Sequence, residues 1–371
     1  MHTDTLELLA PAPGLSARLT VHRFGTPGAG PKALIQAALH ADEVPALLVA
    51  HHLRPLLQAA EAEGRLRGEV LLVPAANPPG LGQQLLGQHH GRFQLADGVN
   101  FNRLVPDRTE AVAAAVAGRL GDDAGANAAV VRRALAEAAA ALRATEPAAD
   151  LKRRLLQLAA DADIVLDLHC DGEAVMHLYA LTPQADMAAE LGALLGAQAV
   201  LLATESGDSP FDGACSATWL KLAQRVAPRP LPLGCFAVTV ELRGQADTGH
   251  VKAAADAAAL MAFLARRGVV DAAPAALPAA RCQPTPLAGS EPLEAPHAGV
   301  VVFHRAPGDR LERGEHVADV VCPLSGQVTP VRTGTTGVLY ARMATRWAAP
   351  GAPLAKVAGA TATRSGKLLS A

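Results

Sequence analysis

Two short apolar runs enclose a helix-like segment near the start of the chain, and this pattern limits the folds open to it. The runs are KALIQAALH (32–40) and the beginning of EVLLVPAANPPG (69–80). Between them, Asp42, Glu43 and Pro45 have the acidic, proline-early chemistry of a first helical turn, which predicts a helix through ALLVAHHLRPLL. Strand, helix and strand in this order favour an α/β sheet.

Later apolar runs extend the predicted sheet. DIVLDLHC (163–170), VMHLYAL (175–181) and LGCFAVTVELRG (233–244) are typical of buried strands. The segment 108–160 is rich in alanine and charge, and its leucines at 151, 155 and 158 share one helical face. The first part of the chain is therefore predicted to be α/β, with helices between the strands.

The character of the sequence changes after residue 270. The Ala/Pro-rich stretch 271–280 is typical of a linker. Beyond it, short β-like runs separated by glycine predict a small, mostly antiparallel β domain. We therefore expect a catalytic domain over residues 1–275 and a β domain over residues 276–371. The second resembles a biotinyl/lipoyl-like barrel, but no lysine lies between Arg281 and Ala355 to serve as an acylated arm there, so a structural role is expected.

Composition excludes several classes of function. Lys and Arg total 33 against 35 Asp and Glu, so there is no basic field to attract nucleic acid or a membrane surface. No apolar run is long enough to span a membrane, and the N-terminus lacks the pattern of a signal peptide, so a cytoplasmic protein is expected. The 5 cysteines are scattered without a CxxC pair, which argues against a disulfide framework or a cysteine-based zinc site.

The first candidate metal ligands lie in ALHADEVPALLVAHHL (38–53). His40 at the end of a strand and Glu43 in the first helical turn have the spacing H-x-x-E, which lets an imidazole and a carboxylate converge on one cation. On the pair alone, an ordinary helix start with a hydrogen-bonded histidine is the more common interpretation. His51 and His52 lie two helical turns further on and are not expected to be ligands.

A third ligand and its support come from VLDLHC. His169 lies near the end of a buried strand, where α/β enzymes place their chemistry, and Asp167 faces the same side of the sheet. Asp167 could orient the imidazole of His169. Two histidines and one carboxylate, with an open fourth position, form the ligand set of a hydrolytic zinc site.

Such a site needs a general base and groups that bind the substrate. Glu241 ends the apolar run of VTVELRG, where burial of a charged carboxylate is energetically unfavourable. Glu241 is therefore either a candidate general base or the partner of a cation such as Arg243. In GRFQLADGVNFNR, Arg92 and Arg103 could hold a carboxylate or an oxyanion, and Asn102 adjoins Arg103. The alternative for these arginines is ordinary surface charge beside an Asp-Gly turn.

Taken in order, these motifs resemble one family. The resemblance is to the succinylglutamate desuccinylase/aspartoacylase family, a deacylase branch of the zinc carboxypeptidase superfamily, and it covers about residues 33–244. The segments that carry it are H-x-x-E at His40 and Glu43, NPPG at Asn77, Arg92, DGVNFNR at Asp97–Arg103, DLH at Asp167 and VTVELRG at Glu241.

The resemblance implies a mixed eight-stranded sheet flanked by helices and one Zn²⁺ per chain. His40, Glu43 and His169 would be the zinc ligands, and Glu241 the general base. Arg92 would polarise the scissile carbonyl. The substrate's carboxylate would bind to Asn102 and Arg103.

The sequence departs from the family pattern after DLH. Asp171 and Glu173 add two acids near the expected pocket, and they could receive a substrate ammonium or simply be solvated. The expected activity is removal of an N-acyl group from a small acyl amino acid. The alternatives are a zinc carboxypeptidase and a non-catalytic binding or assembly protein. The identity of the acyl group and a possible homo-oligomeric state are left open by the sequence.

Overall fold

The computed structural model describes residues 1–369 of the chain. None of the helices in this part is both long and apolar enough to cross a membrane. Across the same residues the structure has eight α-helices: α1 (Pro45–Ala62), α2 (Pro78–Leu81), α3 (Thr109–Val116), α4 (Ala124–Ala141), α5 (Pro147–Ala159), α6 (Ala185–Leu195), α7 (Phe211–Arg225) and α8 (His250–Arg266).

The strands fall into one large sheet and several smaller ones. In chain order they are β1 (His2–Leu8), β2 (Ala17–Gly25), β3 (Lys32–Ala37), β4 (Glu69–Val73), β5 (Gln84–Leu85), β6 (Gln88–His89), β7 (Ile164–Asp171), β8 (Glu173–Ala174), β9 (Met176–Leu181), β10 (Ala199–Ala203), β11 (Phe236–Gly244), β12 (Thr285–Pro286), β13 (Ser290–Glu294), β14 (Gly299–Phe303), β15 (Arg310–Leu311), β16 (His316–Val321), β17 (Val328–Arg332), β18 (Gly337–Arg342), β19 (Trp347–Ala348) and β20 (Pro353–Gly359).

The large sheet is mixed and has the strand order β1-β2-β4-β3-β7-β11-β9-β10-β12. Its centre, β4-β3-β7-β11, is parallel, whereas β1, β2 and β9 introduce antiparallel pairs. The expected mixed α/β sheet is confirmed. Among the described residues the sheet has nine strands, one more than the eight expected. The additional strand is the two-residue β12, which follows the linker and pairs with the edge strand β10.

Helices cover both faces of this sheet because its buried strands are apolar on both sides. Along β3, Ala33, Ile35 and Ala37 face a core shared with α1, α6 and α8, whereas Leu34 faces a core shared with α3, α4, α5 and α7. The Ala-rich segment 108–160 thus supplies three of the helices that cover one face.

The C-terminal part of the chain forms antiparallel sheets, in the orders β13-β20-β18-β15 and β17-β16-β14-β19. Strands of both contribute to one apolar core, which includes Val301, Val320 and Val357. Two short strands pair across the linker. From the part before the linker, β8 pairs with β18, and from the part after it, β12 pairs with β10. The expected linker is an exposed stretch without helix or strand at residues 271–280. The division at residue 275 stays a prediction.

Candidate metal centre and active-site cavity

Three parallel strands of the large sheet end at the same edge and bring the candidate residues together. His40 follows β3, His169 lies near the end of β7, and Glu241 lies near the end of β11. Ala37 of β3 pairs with Leu168, the neighbour of His169, and Glu241 pairs directly with His169. The register of the sheet therefore sets the positions of all three segments.

The H-x-x-E pair is held by a turn and not by a helix. Helix α1 begins at Pro45, so Glu43 precedes it, and the expectation that Glu43 lies in the first helical turn is wrong. Instead, the backbone N–H of Glu43 donates to the carbonyl of His40 over 3.1 Å, which closes a turn. Ala38 has a left-handed φ of 57°, a strained conformation for alanine, at the exit from β3.

Side chains of His40, Glu43 and His169 meet in the interior, each no more than 3% exposed. Nδ1 of His40 lies 2.9 Å from Oε1 of Glu43, and Nδ1 of His169 lies 2.7 Å from Oε2. The two imidazole rings stand edge to face, with centroids 5.0 Å apart. One carboxylate is thus enclosed between two imidazole nitrogens.

The tautomer of His40 follows from its other nitrogen. Nε2 lies 2.9 Å from Oδ1 of Asn100, and the same oxygen accepts the backbone N–H of Asn102 over 2.8 Å. Because Oδ1 accepts that N–H, it is the amide oxygen, and Nε2 of His40 must carry the proton that donates to it. The lone pair of Nδ1 in the neutral ring therefore points at the carboxylate of Glu43.

Nε2 of His169, the ring nitrogen that faces away from Glu43, also contacts polar side chains. Its Nε2 lies 3.0 Å from Oδ2 of the fully buried Asp167 and 3.3 Å from Nδ2 of Asn102. Asp167 in turn accepts the side-chain N–H of Gln36 over 2.9 Å. Oδ2 of Asp167 approaches Nε2 without a hydrogen bond of good geometry among the described residues, so the orienting role expected for Asp167 stays a prediction.

Burial alone would lower the pKa of His169, but the carboxylates of Asp167 and Glu43 raise it well above its ordinary value, so without an ion the ring favours the protonated form. A cation bound at Nδ1 would displace the proton that faces Glu43.

The carboxylate of Glu43 and the Nδ1 atoms of His40 and His169 offer ligand atoms that converge on one point, so the donor set fits a divalent cation. Two imidazole nitrogens with a carboxylate suit Zn²⁺ and related ions. Burial alone would raise the pKa of Glu43, but His40 and His169 hold the pKa of its carboxyl well below the ordinary value. Burial lowers the pKa of His40. Glu43 and His40 thus favour the deprotonated forms that ligate metals, whereas His169 would exchange a proton for the ion.

Glu241 faces the cavity beside this cluster. Its Oε2 is buried and has no hydrogen-bond partner among the described residues. Burial, followed by the negative charge of Glu43, raises the pKa of Glu241 to about 8. A buried carboxyl with an open oxygen and a pKa in this range can exchange protons near neutral pH.

Arg92 reaches the cluster from the loop that follows β6. Its Nη1 lies 3.2 Å from Nδ1 of His40 and 3.3 Å from Oε1 of Glu43, while 33% of the side chain stays exposed. Gly91 makes this approach possible, since a Cβ there would lie 2.1 Å from the backbone nitrogen of Asp42. Arg92 therefore stands between the candidate ligands and the open cavity.

Asn102 and Arg103 are both buried and line the cavity. The amide of Asn102 is engaged within the protein: Oδ1 accepts the backbone N–H of Phe211 over 2.8 Å, at the start of α7, and Nδ2 contacts His169. Nη1 of Arg103 donates to the carbonyl of Asn102 over 2.8 Å. Asn102 thus links α7 to His169, and its expected role in binding a substrate stays a prediction.

Asp171 ends β7 and pairs with a lysine from the C-terminal part of the chain. Nζ of Lys356 in β20 donates to Oδ2 of Asp171 over 2.7 Å. Burial alone would raise the pKa of Asp171, but Lys356 lowers it to about 2. Glu173 likewise contacts Arg342 and Arg346. The two acids expected near the pocket are therefore already paired with cations, and a substrate-binding role for Asp171 stays a prediction.

These groups open into one cavity of about 570 Å³, walled by both parts of the chain. The large sheet contributes His40, His169 and Glu241, and the C-terminal part contributes Arg342 and Lys356. Asp212 at the start of α7 also lines it, and burial raises the pKa of this carboxyl to about 6. Sequence reasoning missed Asp212, Asn100 and Lys356. Of these, Asn100 alone had a signal, since it lies inside the motif DGVNFNR.

Residues 29–267 match the model of the succinylglutamate desuccinylase/aspartoacylase catalytic domain. The chain belongs to this family. The resemblance expected from the motifs is confirmed, and proteins of the family are deacylases, so the chain is placed among hydrolases. No sequence among the curated proteins matches it significantly.

Solved structures similar to this family member extend over both parts of the chain. A protein from Shewanella amazonensis described under the same family name is 28% identical, covering 96% of this chain and 98% of its own, with a TM-score of 0.85. Another, from Shewanella frigidimarina, is 24% identical, covering 96% and 97%, also with a TM-score of 0.85. The ectoine utilization protein EutE (DoeB) from Ruegeria pomeroyi is 20% identical, covering 97% and 95%, with a TM-score of 0.67.

Proposed function

We propose that the protein is a zinc-dependent amidohydrolase that removes an N-acyl group from a small acyl amino acid, with one catalytic Zn²⁺ held by His40, Glu43 and His169. The observation that carries the proposal is the convergence of two imidazole Nδ1 atoms on the Glu43 carboxylate, at the wall of a cavity that His40, His169 and Glu241 line. Ligands, base and an accessible cavity are the three parts that metal-assisted hydrolysis requires.

The bound ion would supply Lewis acidity, which makes a water molecule easier to deprotonate and a carbonyl easier to attack. Glu241 accepts the proton of the attacking water at its open carboxyl oxygen and then passes it to the nitrogen of the leaving amine. Its burial supports this role, because a carboxyl with a raised pKa both accepts and returns a proton without a large cost.

Arg92 polarises the scissile carbonyl, since its guanidinium lies between the ligand cluster and the open cavity. Arg103, with Asn102, binds the carboxylate of the substrate; the support for this is the buried guanidinium at the cavity wall. Asp171 contributes to the same wall together with the ammonium of Lys356, and so presents a neutralised pair to the substrate.

The C-terminal part of the chain, which we propose as a biotinyl/lipoyl-like β domain over residues 276–371, limits the size of the substrate. Arg342, Met343 and Lys356 from this part wall the cavity, whose volume of about 570 Å³ suits a small molecule. A long peptide would have to pass these side chains. This enclosure supports acyl amino acids over peptides.

The test is a measurement of bound metal followed by an activity panel. Protein purified without chelator should retain zinc and release amine from some members of a panel of N-acetyl and N-succinyl amino acids. His169→Ala should lose the tightly bound zinc and the activity, whereas the matched control His51→Ala, an exposed histidine of α1, should keep both.

Two results would contradict the proposal. Turnover of peptides from the C-terminus without turnover of acyl amino acids would favour a zinc carboxypeptidase. Protein that neither retains nor takes up zinc would favour a non-catalytic binding or assembly role.

A further inference from the structure

A second group of histidines and a carboxylate lies in the C-terminal part of the chain, outside the catalytic cavity. His304 directly follows β14, and His316 and Asp319 belong to β16. Nε2 of His304 lies 2.8 Å from Oδ2 of Asp319, and Nε2 of His316 lies 2.8 Å from Oδ1 of the same residue. Again one carboxylate is enclosed between two imidazole nitrogens.

A β-bulge produces this convergence. Residues 316 and 319, three apart, would point to opposite faces of a regular strand. The pairing of β16 with β17 shifts register between His316 and Ala318, and the extra residue, Val317, turns into the core with 0% exposure. The bulge therefore brings His316 and Asp319 onto one face.

His304 is tied to the same bulge by the backbone. Its N–H donates to the carbonyl of Val317 over 2.9 Å, so the position of the third side chain depends on the residue that creates the bulge. The two imidazole rings lie with centroids 4.4 Å apart. The three side chains are thus arranged by local backbone geometry before any ion is present.

Exposure and donor chemistry decide what such a group can bind. The side chains of His304, His316 and Asp319 are 42%, 33% and 20% exposed, so an ion can reach them from solvent and keep water in its remaining positions. Imidazole nitrogens with a carboxylate oxygen select ions such as Zn²⁺, Co²⁺ or Ni²⁺ over Mg²⁺ and Ca²⁺, which prefer oxygen ligands alone.

We propose that His304, His316 and Asp319 form a second metal site, separate from the catalytic centre, which binds an exchangeable divalent ion of the Zn²⁺ and Co²⁺ class. The bound ion joins the end of β14 to the bulge of β16. The site is independent of the proposed hydrolytic function, because none of its three side chains lines the catalytic cavity described for residues 1–369.

The test isolates this site by removing the catalytic one. Full-length His169→Ala is dialysed against Co²⁺, and bound cobalt is counted by elemental analysis. We expect about one Co²⁺ per chain in this variant and its loss in His169→Ala/Asp319→Asn. The matched control His169→Ala/His297→Ala, which removes a histidine of the same region bonded to Thr329, should keep the cobalt. A millimolar excess of Mg²⁺ or Ca²⁺ should not displace it.

Absence of cobalt from His169→Ala would overturn the proposal, and so would equal cobalt in His169→Ala and the Asp319→Asn double variant. A second double variant, His169→Ala/His316→Ala, with circular dichroism on every protein, guards against a variant that loses metal because it fails to fold. The same measurement distinguishes failure of the second metal site from failure of the proposed function. If His169→Ala bound as much cobalt per chain as the wild type, the result would contradict the catalytic metal site alone.

Discussion

The two histidine–carboxylate groups of this protein have the same composition and very different surroundings. In both, one carboxylate lies between two imidazole nitrogens at 2.7–2.9 Å. The group of His40, Glu43 and His169 is buried, whereas that of His304, His316 and Asp319 is partly exposed. Under both proposals the same ligand set gives affinity for a metal, so the surroundings of the ligands must decide what the metal does.

What separates the two groups is the shell around the ligands. Asn100 and Asp167 lie behind the buried imidazoles, and Glu241 adds an unpaired carboxyl oxygen in front. Within residues 1–369, the cavity that His40 and His169 of the buried group line is not lined by any residue of the exposed group. The proposed hydrolysis therefore belongs to the buried group alone.

The largest expected effect comes from removing the proton acceptor while leaving the ligands intact. Glu241→Gln should lower kcat by about 10²–10⁴-fold, because the amide cannot take a proton from water. Bound zinc should be unchanged, since Glu241 is not among the proposed ligands. Steady-state amine release and elemental analysis of the same preparation measure the two quantities.

Glu205→Gln is the matched control for this variant, because Glu205 lines the same cavity at an exposed position. It should retain near wild-type activity. If Glu241→Gln turned over substrate as fast as Glu205→Gln, Glu241 would not be the general base. A general base beside the buried group could then no longer explain why hydrolysis is proposed for that group alone.

A smaller effect is expected from the residue behind His169. Asp167→Asn replaces the carboxylate 3.0 Å from Nε2 with an amide, which weakens the orientation of the imidazole. The affinity of the buried site for zinc should fall by about 10–100-fold, as measured by competition with a chelator. The exposed site should be unaffected, because it lies on other strands. Equal affinities in Asp167→Asn and the wild type would show that the contact does not tune the metal.

The ligand strands could be predicted because their signals are local. A buried strand that ends in Asp-x-His, and an acid that terminates the run VTVEL, place His169 and Glu241 at a sheet edge without knowledge of the rest of the chain. The prediction that Glu43 lies in the first helical turn was wrong. The same residues also suit a turn, and the chain makes a turn after His40, so that Glu43 precedes α1 by two residues.

The far wall of the cavity could not be predicted in this way. Lys356 contacts Asp171 across 185 residues of sequence, and this contact depends on how the C-terminal sheets pack against the large one. The bulge at Val317 could not be predicted either, because the sequence GEHVADV is compatible with a regular strand and does not indicate the register shift. Contacts made by packing between distant segments have no local pattern from which to infer them.

The smallest expected effect tests the link between the large sheet, which holds the buried group, and the C-terminal part of the chain, which holds the exposed group. The Asp171–Lys356 pair joins the end of β7 to β20, and both side chains are less than one third exposed. Because Lys356 lowers the pKa of Asp171 to about 2, below the value of about 3.9 for an unfolded chain, the pair stabilises the fold above pH 4. That contribution is lost as the pH falls from about 4 towards 2, where Asp171 becomes protonated in the folded state.

Lys356→Met should therefore lower the midpoint of thermal unfolding by about 1–3 °C at pH 7. The difference from the wild type should shrink as the pH approaches 3, because protonation of Asp171 removes the advantage of the lysine. Lys252→Met, which breaks an exposed pair with Asp247, should change the midpoint little at either pH. A difference between Lys356→Met and the wild type that stayed constant from pH 7 to pH 3 would mean that Lys356 stabilises the contact through its aliphatic chain and not through its charge.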